Sequence, residues 1–195
     1  LVTTRVDAYR QQLRSLDGAE WDAFLLAHSR LPGPRGNLEL LQAVADEGTD
    51  QETAAKGLDV AGYDIDVDAM GRATDLRVKT CLSCAQVGDH AEVVIVMVAS
   101  DRQVEEVVAQ SGLLDRLRPG CVICISSSCA PETCRRMEEL AATSGVGVLD
   151  CPVVLGQEAA NNGTVTCYVG GEERWLDRAR PALVAFSAQV LHLGP

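Results

Sequence analysis

The stretch Ala91-Glu92-Val93-Val94-Ile95-Val96-Met97-Val98-Ala99 decides how this chain is read. From Val93 to Ala99 it is apolar without alternation, the pattern of a strand covered on both faces. Val122-Ile123-Cys124-Ile125 has the same texture. Strands of this kind belong to parallel sheets, whose crossover connections are helices. Working outward, the pattern predicts strands at 59–65, 93–98, 122–126, 146–150 and 165–169, alternating with helices at 67–76, 100–109, 131–144 and 172–188. The resulting fold class is α/β, a doubly wound parallel sheet.

The balance of the chain limits its partners. It has 195 residues, with 17 Lys+Arg against 28 Asp+Glu and a formal charge of -11. No charge run is basic, so nucleic acid and anionic membrane are set aside as partners. The apolar run at 93–99 is far shorter than the ~20 residues of a membrane span, and no apolar stretch follows the N-terminus. A cytoplasmic protein is expected. Eight cysteines scattered through strand-like runs read as reduced, buried thiols. Cys81-x-x-Cys84 and Cys121-x-x-Cys124 could be two halves of a zinc site, but 36 residues separate the pairs, more than the usual ~15–20. Cys121 and Cys124 also sit at an odd offset on a strand, which points them to opposite faces. No metal ligand set is assigned, and His28, His90 and His192 are too dispersed to form one.

Residues 1–52 have a different texture. Trp21, Phe24, Leu25 and His28 fall at helical spacing, Asp17 and Glu20 form a candidate capping box, and Asn37 can cap a helix carrying Leu38, Leu41 and Val44. Short amphipathic helices are expected here. The run Trp21-Asp22-Ala23-Phe24-Leu25-Leu26-Ala27-His28 through Asn37 resembles HEAT-type helical repeats, and such a unit must pack on a neighbour. The domain division is thus a helical segment at 1–52 and an α/β domain at 53–195.

The strand from Leu58 to Asp66 ends in acidic residues. At the end of the second strand of a dinucleotide fold, a carboxylate accepts hydrogen bonds from the adenosine ribose, and Asp64 is the candidate. Its neighbour Ile65 cannot receive a 2′-phosphate, which favours NAD over NADP.

Five co-linear motifs give this reading a family context. They are Gly57-Leu58-Asp59-Val60-Ala61-Gly62-Tyr63-Asp64, Ala91 to Val98, Gly112-Leu113-Leu114 to Pro119-Gly120, Ser127-Ser128-Cys129-Ala130-Pro131-Glu132-Thr133, and Asp150-Cys151-Pro152-Val153 followed by Gly156, Gly163-Thr164 and Val169-Gly170-Gly171. In order and spacing they resemble the β-hydroxyacid dehydrogenases, the family of 3-hydroxyisobutyrate dehydrogenase and of the NADP-binding domain of 6-phosphogluconate dehydrogenase. The resemblance covers Gly57 to Pro195 and implies a Rossmann-like sheet binding NAD or NADP. It implies that Asp64 holds the adenosine ribose, that Met97, Val98 and Ala99 line the cofactor, and that Ser127 and Ser128 sit near the nicotinamide ribose. It also implies a substrate segment at Val154, Leu155, Gly156, Asn162 and Gly163, with a small 3-hydroxy acid as substrate.

The chain departs from that family in four places. Val154 and Leu155 replace the Ser and first Gly of the substrate segment, removing a hydroxyl and a backbone approach that only Gly makes easy. No strand and Gly-x-Gly-x-x-Gly turn is read upstream of Gly57, and Gly33-Pro34-Arg35-Gly36 is a poor substitute because Pro lacks an N–H. The family's catalytic Lys and its all-helical second domain come after the strand that ends at Pro195. No catalytic residue is therefore assigned within this chain. The expectation is an incomplete sheet without its first strand, weak cofactor binding, and little or no hydride transfer by the chain alone. The alternative is a non-catalytic scaffold in which the helical segment docks a helical-repeat partner. The gap left by a missing strand would need a cover, either residues 1–48 or a second copy in a homodimer.

Overall fold

The computed structural model describes residues 22–28, 59–75, 78–155, 159 and 164–195. The strands are β1 (Asp22–His28), β2 (Asp59–Tyr63), β3 (Lys79–Thr80), β4 (Val93–Val98), β5 (Val122–Ile125), β6 (Gly147–Asp150), β7 (Val153–Val154), β8 (Val165–Gly170) and β9 (Ser187–Gly194). The helices are α1 (Val67–Asp75), α2 (Cys84–Gly88), α3 (Asp101–Glu105, continued by a π-helical turn at Glu106–Gln110), α4 (Leu113–Arg116), α5 (Pro131–Ala142) and α6 (Glu173–Phe186).

The unbroken apolar character of β4 is explained by what covers it. Val93 and Ile95 point into one core cluster, with Leu176, Ala179, Leu183 and Phe186 of α6. Val94, Val96 and Val98 point into the other, with Val87 of α2, Val104 and Val107 of α3, Leu113 of α4 and Met137 of α5. Successive side chains of a strand alternate between faces, so a strand between two helical layers must be apolar at every position. Cys121 and Cys124 obey the same rule and lie in opposite clusters. Phe186, Leu176 and Leu183 are wholly buried, each contributing about 1.5–3 kcal/mol.

Among the described residues the strands run in the order β3-β2-β1-β4-β5-β6-β8-β7, with β9 beside β8. From β3 to β6 every pairing is parallel. β8 is antiparallel to β6 and β7 and parallel to β9. The first six strands in that order are those of a Rossmann sheet.

Two expectations are corrected. Residues 22–28 are not helical: β1 fills the central slot, with Phe24 opposite Ala61 of β2 and Val94 of β4. The sheet therefore has its first strand, and the position expected to need a cover from the N-terminal helices or a second copy is occupied by β1. The physical reason is that Ala23-Phe24-Leu25-Leu26-Ala27 is a short, uninterrupted apolar run, which suits a central strand as well as its spacing suits a helix. The rest of the expected helical segment, residues 1–21 and 29–52, lies outside the described residues. The second correction is at the C-terminus, where the helix expected to reach 188 stops at Phe186 and β9 begins at Ser187.

Close packing of the last layer depends on one glycine. Trp175 of α6 lies against the backbone of β6 at Gly147, where a Cβ would overlap its indole. No helix among the described residues is long and apolar enough to cross a membrane.

Candidate functional site: the carboxyl ends of the parallel strands

Because β2, β1, β4, β5 and β6 are parallel, their carboxyl ends lie along one edge of the sheet. Between β1 and β4 the strand order reverses direction, and a crevice opens there in doubly wound folds. Four of the candidate groups sit on this edge: Asp64 after β2, Met97 to Ala99 at the end of β4, Ser127 and Ser128 after β5, and Val154 and Leu155 after β6.

Asp64 follows the last residue of β2 and is buried, with 7% of its surface exposed. Its Oδ1 accepts the Asp66 N–H at 2.9 Å, and its own N–H donates to Met70 Sδ of α1 at 3.0 Å. The strand thus ends in a turn closed by its own carboxylate, which fixes that group at the sheet edge. Asp66 Oδ1 repeats the device by accepting the Asp68 N–H at 2.9 Å. Ile65 in the same turn, Val67 at the start of α1 and Leu82 after β3 are exposed.

The two serines after β5 are not equivalent. Ser127 is buried, and its Oγ accepts the Val98 N–H at 2.6 Å, tying the loop to the last residue of β4. Ser128 is exposed. Ser127 therefore holds the loop to β4, while the Ser128 side chain is accessible at the sheet edge. Met97 is half-buried, Val98 buried and Ala99 exposed, with the Ala99 N–H donating to Gln103 Oε1 at 2.9 Å.

Sequence reasoning missed Asp101. Its Oδ2 accepts both the Thr133 Oγ1 hydroxyl at 2.7 Å and the Ala130 N–H at 2.8 Å, so a side chain from α3 caps the start of α5. Those two hydrogen bonds hold its carboxyl below the ordinary value. The signal was available: Ala130 precedes α5 and has no side chain able to cap it, so a partner from elsewhere was needed.

At the end of β6, burial raises the Asp150 carboxyl, opposed by a hydrogen bond from Cys134. Beyond it, Leu155 stands at φ 86°, a left-handed conformation that favours glycine, with 66% of its surface exposed. This is the position where the resembled family has Gly, so the backbone keeps a shape that its side chain opposes. Gly156, Asn162 and Gly163 lie outside the described residues. Below the edge, Cys124, Cys151 and Cys167 are wholly buried. Hydrogen bonding to Cys124 raises the Cys151 thiol, and hydrogen bonding to Cys151 followed by burial raises that of Cys167. Among the described residues no group of three or more His, Cys, Asp or Glu could hold a metal ion.

Comparison with known proteins bears on the family and the fold. Residues 49–194 match the NAD binding domain of 6-phosphogluconate dehydrogenase. A probable mitochondrial 3-hydroxyisobutyrate dehydrogenase of Dictyostelium discoideum is 31% identical over 140 residues, which are 71% of this chain and 44% of that protein. An NAD-dependent L-serine dehydrogenase of Pseudomonas aeruginosa is 34% identical over 141 residues, 69% of this chain and 47% of that protein. The chain therefore spans about half the length of the curated relatives it matches. Among solved structures, Mycobacterium tuberculosis 3-hydroxyisobutyrate dehydrogenase with L-serine superposes with a TM-score of 0.76 at 24% identity, covering 89% of this chain and 56% of that one. That likeness shows a shared fold.

Proposed function

We infer the function from one premise: the chain belongs to the family of NAD-binding domains of 6-phosphogluconate dehydrogenase type, to which 3-hydroxyisobutyrate dehydrogenases are related. The reading it supports best is a dinucleotide-binding unit, with NAD preferred, of an oxidoreductase acting on a small 3-hydroxy acid. The observation that carries it is Asp64, held at the end of β2 beside the reversal of strand order.

The donor and acceptor chemistry of that edge fits such a group. A buried carboxylate fixed by its own turn is an acceptor for ribose hydroxyls. Exposed Ile65 and Val67 beside it, and Leu82 on the next strand end, offer apolar surface to an adenine ring. The charged residues from Asp64 to Asp68 are all acidic, so a 2′-phosphate placed beside them would meet like charge. One such pair roughly 6–8 Å apart costs about 2–3 kcal/mol at an effective dielectric near 20, which favours NAD by more than about tenfold.

Ser127 sets the position of the loop after β5 by holding it to Val98, and exposed Ser128 and Ala99 then bound the crevice from two strand ends. Asp101 fixes the far side of that loop through Ala130 and Thr133. A bound nicotinamide supplies the hydride acceptor for oxidation of a hydroxyl carbon. The residues of this chain bind and orient; no proton-transferring group is assigned among them.

Calorimetric titration of NAD and NADP into the chain tests this, with Asp64→Ala as the comparison. NAD binding that is tighter than NADP binding and at least tenfold weaker in Asp64→Ala is expected. Absence of binding at millimolar cofactor, or binding indifferent to Asp64, overturns it.

A further inference from the structure

Cys129 and Cys134 stand apart from the other thiols. Their Sγ atoms lie 3.3 Å apart, one in the loop after β5 and the other in the first turn of α5. Of the eight cysteines, Cys129 alone is not buried. Both flanks of the pair are anchored: Ser127 Oγ binds the Val98 N–H on one side, and Asp101 Oδ2 binds the Ala130 N–H and the Thr133 hydroxyl on the other. The thiols therefore face each other across a loop whose ends are fixed to β4 and α3. A disulfide needs an S–S separation of about 2.05 Å, so an approach of little more than an ångström forms the bond.

We propose that Cys129 and Cys134 are a reversible dithiol–disulfide pair, and that its oxidation locks the loop carrying Ser127 and Ser128 to α5. Exposure assigns the order of events. Cys129, the accessible thiol, loses its proton to solvent and attacks a low-molecular-weight disulfide, forming a mixed disulfide and releasing one thiol. Cys134 then loses its proton and attacks Cys129 Sγ, releasing the second thiol. Two electrons and two protons pass from the pair to the reagent, which is reduced to two thiols. Burial holds both thiols above their ordinary values, and the nearby carboxylates of Asp150 and Asp101 add to this at Cys129. Exchange is accordingly slow at neutral pH and faster in alkali. The pair stands whether or not the crevice binds a dinucleotide, since it rests on the thiol geometry alone.

The test equilibrates the whole chain in glutathione buffers of increasing oxidised fraction, then quenches in acid, alkylates in denaturant and maps each cysteine by mass spectrometry. Cys129 and Cys134 are expected to lose alkylation together, with loss of two hydrogen atoms and full reversal by dithiothreitol. Amide exchange of residues 126–134 is expected to slow in the oxidised form. Cys129→Ser, which leaves the buried cysteine in place, is expected to restore full alkylation of Cys134. The idea is overturned if both cysteines stay alkylated in the most oxidising buffer, if Cys129 only accumulates bound glutathione, if exchange of 126–134 is unchanged by oxidation, or if Cys134 remains protected in Cys129→Ser.

Discussion

Replacing Ser127 by Ala removes the acceptor that the Val98 N–H reaches at 2.6 Å. Ser127 is 3% exposed and Val98 8% exposed, so water cannot readily replace the lost oxygen. A buried donor left without its partner costs about 1–3 kcal/mol, and the methyl group that remains fills most of the space. Taking about 2 kcal/mol, a chain of this size melts roughly 4–8 °C lower. Urea unfolding followed by circular dichroism measures the first quantity, and a thermal melt the second. Ser128→Ala is the control, because an exposed side chain without such a bond changes stability by less than about 0.5 kcal/mol. The two variants should separate in the opposite way in dinucleotide titration, with Ser128→Ala weakening binding at unchanged stability. If Ser127→Ala is as stable as Ser128→Ala, the hydrogen bond does not anchor the loop and the division of labour between the serines is wrong.

Gly147→Ala drives a Cβ into the Trp175 indole and should destabilise the fold by about 1–3 kcal/mol in urea, most of which disappears in a Trp175→Ala background. Leu155→Gly relieves a residue at φ 86° and should raise stability by up to about 1 kcal/mol, whereas Leu155→Val should lower it. Asp101 has a depressed carboxyl value in the folded chain, so it adds stability above roughly pH 4 that is lost as pH falls through its folded value. Asp101→Asn should flatten that acid limb of a stability–pH profile; a limb as steep as in the parent chain would remove the cap from the account.

The buried strands are legible in the sequence because burial on two faces leaves a mark that composition carries: the apolar pattern marks β4 to the residue, and β5, β6 and β8 to within one. Short elements are not legible. β3 has two residues, α4 four and α2 five, fewer than one period of any pattern needs to stand out. β1 reads as a helix because Trp21, Phe24, Leu25 and His28 satisfy a helical spacing inside a run short enough for a strand, and only partners distant in sequence decide between the two. At the site, the positions of Asp64, Ser127 and Ser128 come from motifs. The separate tasks of the serines, the cap from Asp101 and the meeting of Cys129 with Cys134 depend on contacts that no spacing encodes.

The central place of β1 bears on how this chain reaches its native state. Among the described strands it is synthesised first, yet the residues it pairs with lie 37 and 70 positions later, in β2 and β4. On a ribosome adding roughly 5–20 residues per second, β1 is exposed for seconds before either edge is paired. A parallel pairing also carries a loop-closure cost before any contact offsets it. Until Val98 has emerged, the unit of β2, α1 and β3 has no continuous sheet linking it to the later strands, since β2 touches β4 only through β1. The two half-sheets are joined along this single strand, and that seam is where early misfolding of this protein would begin.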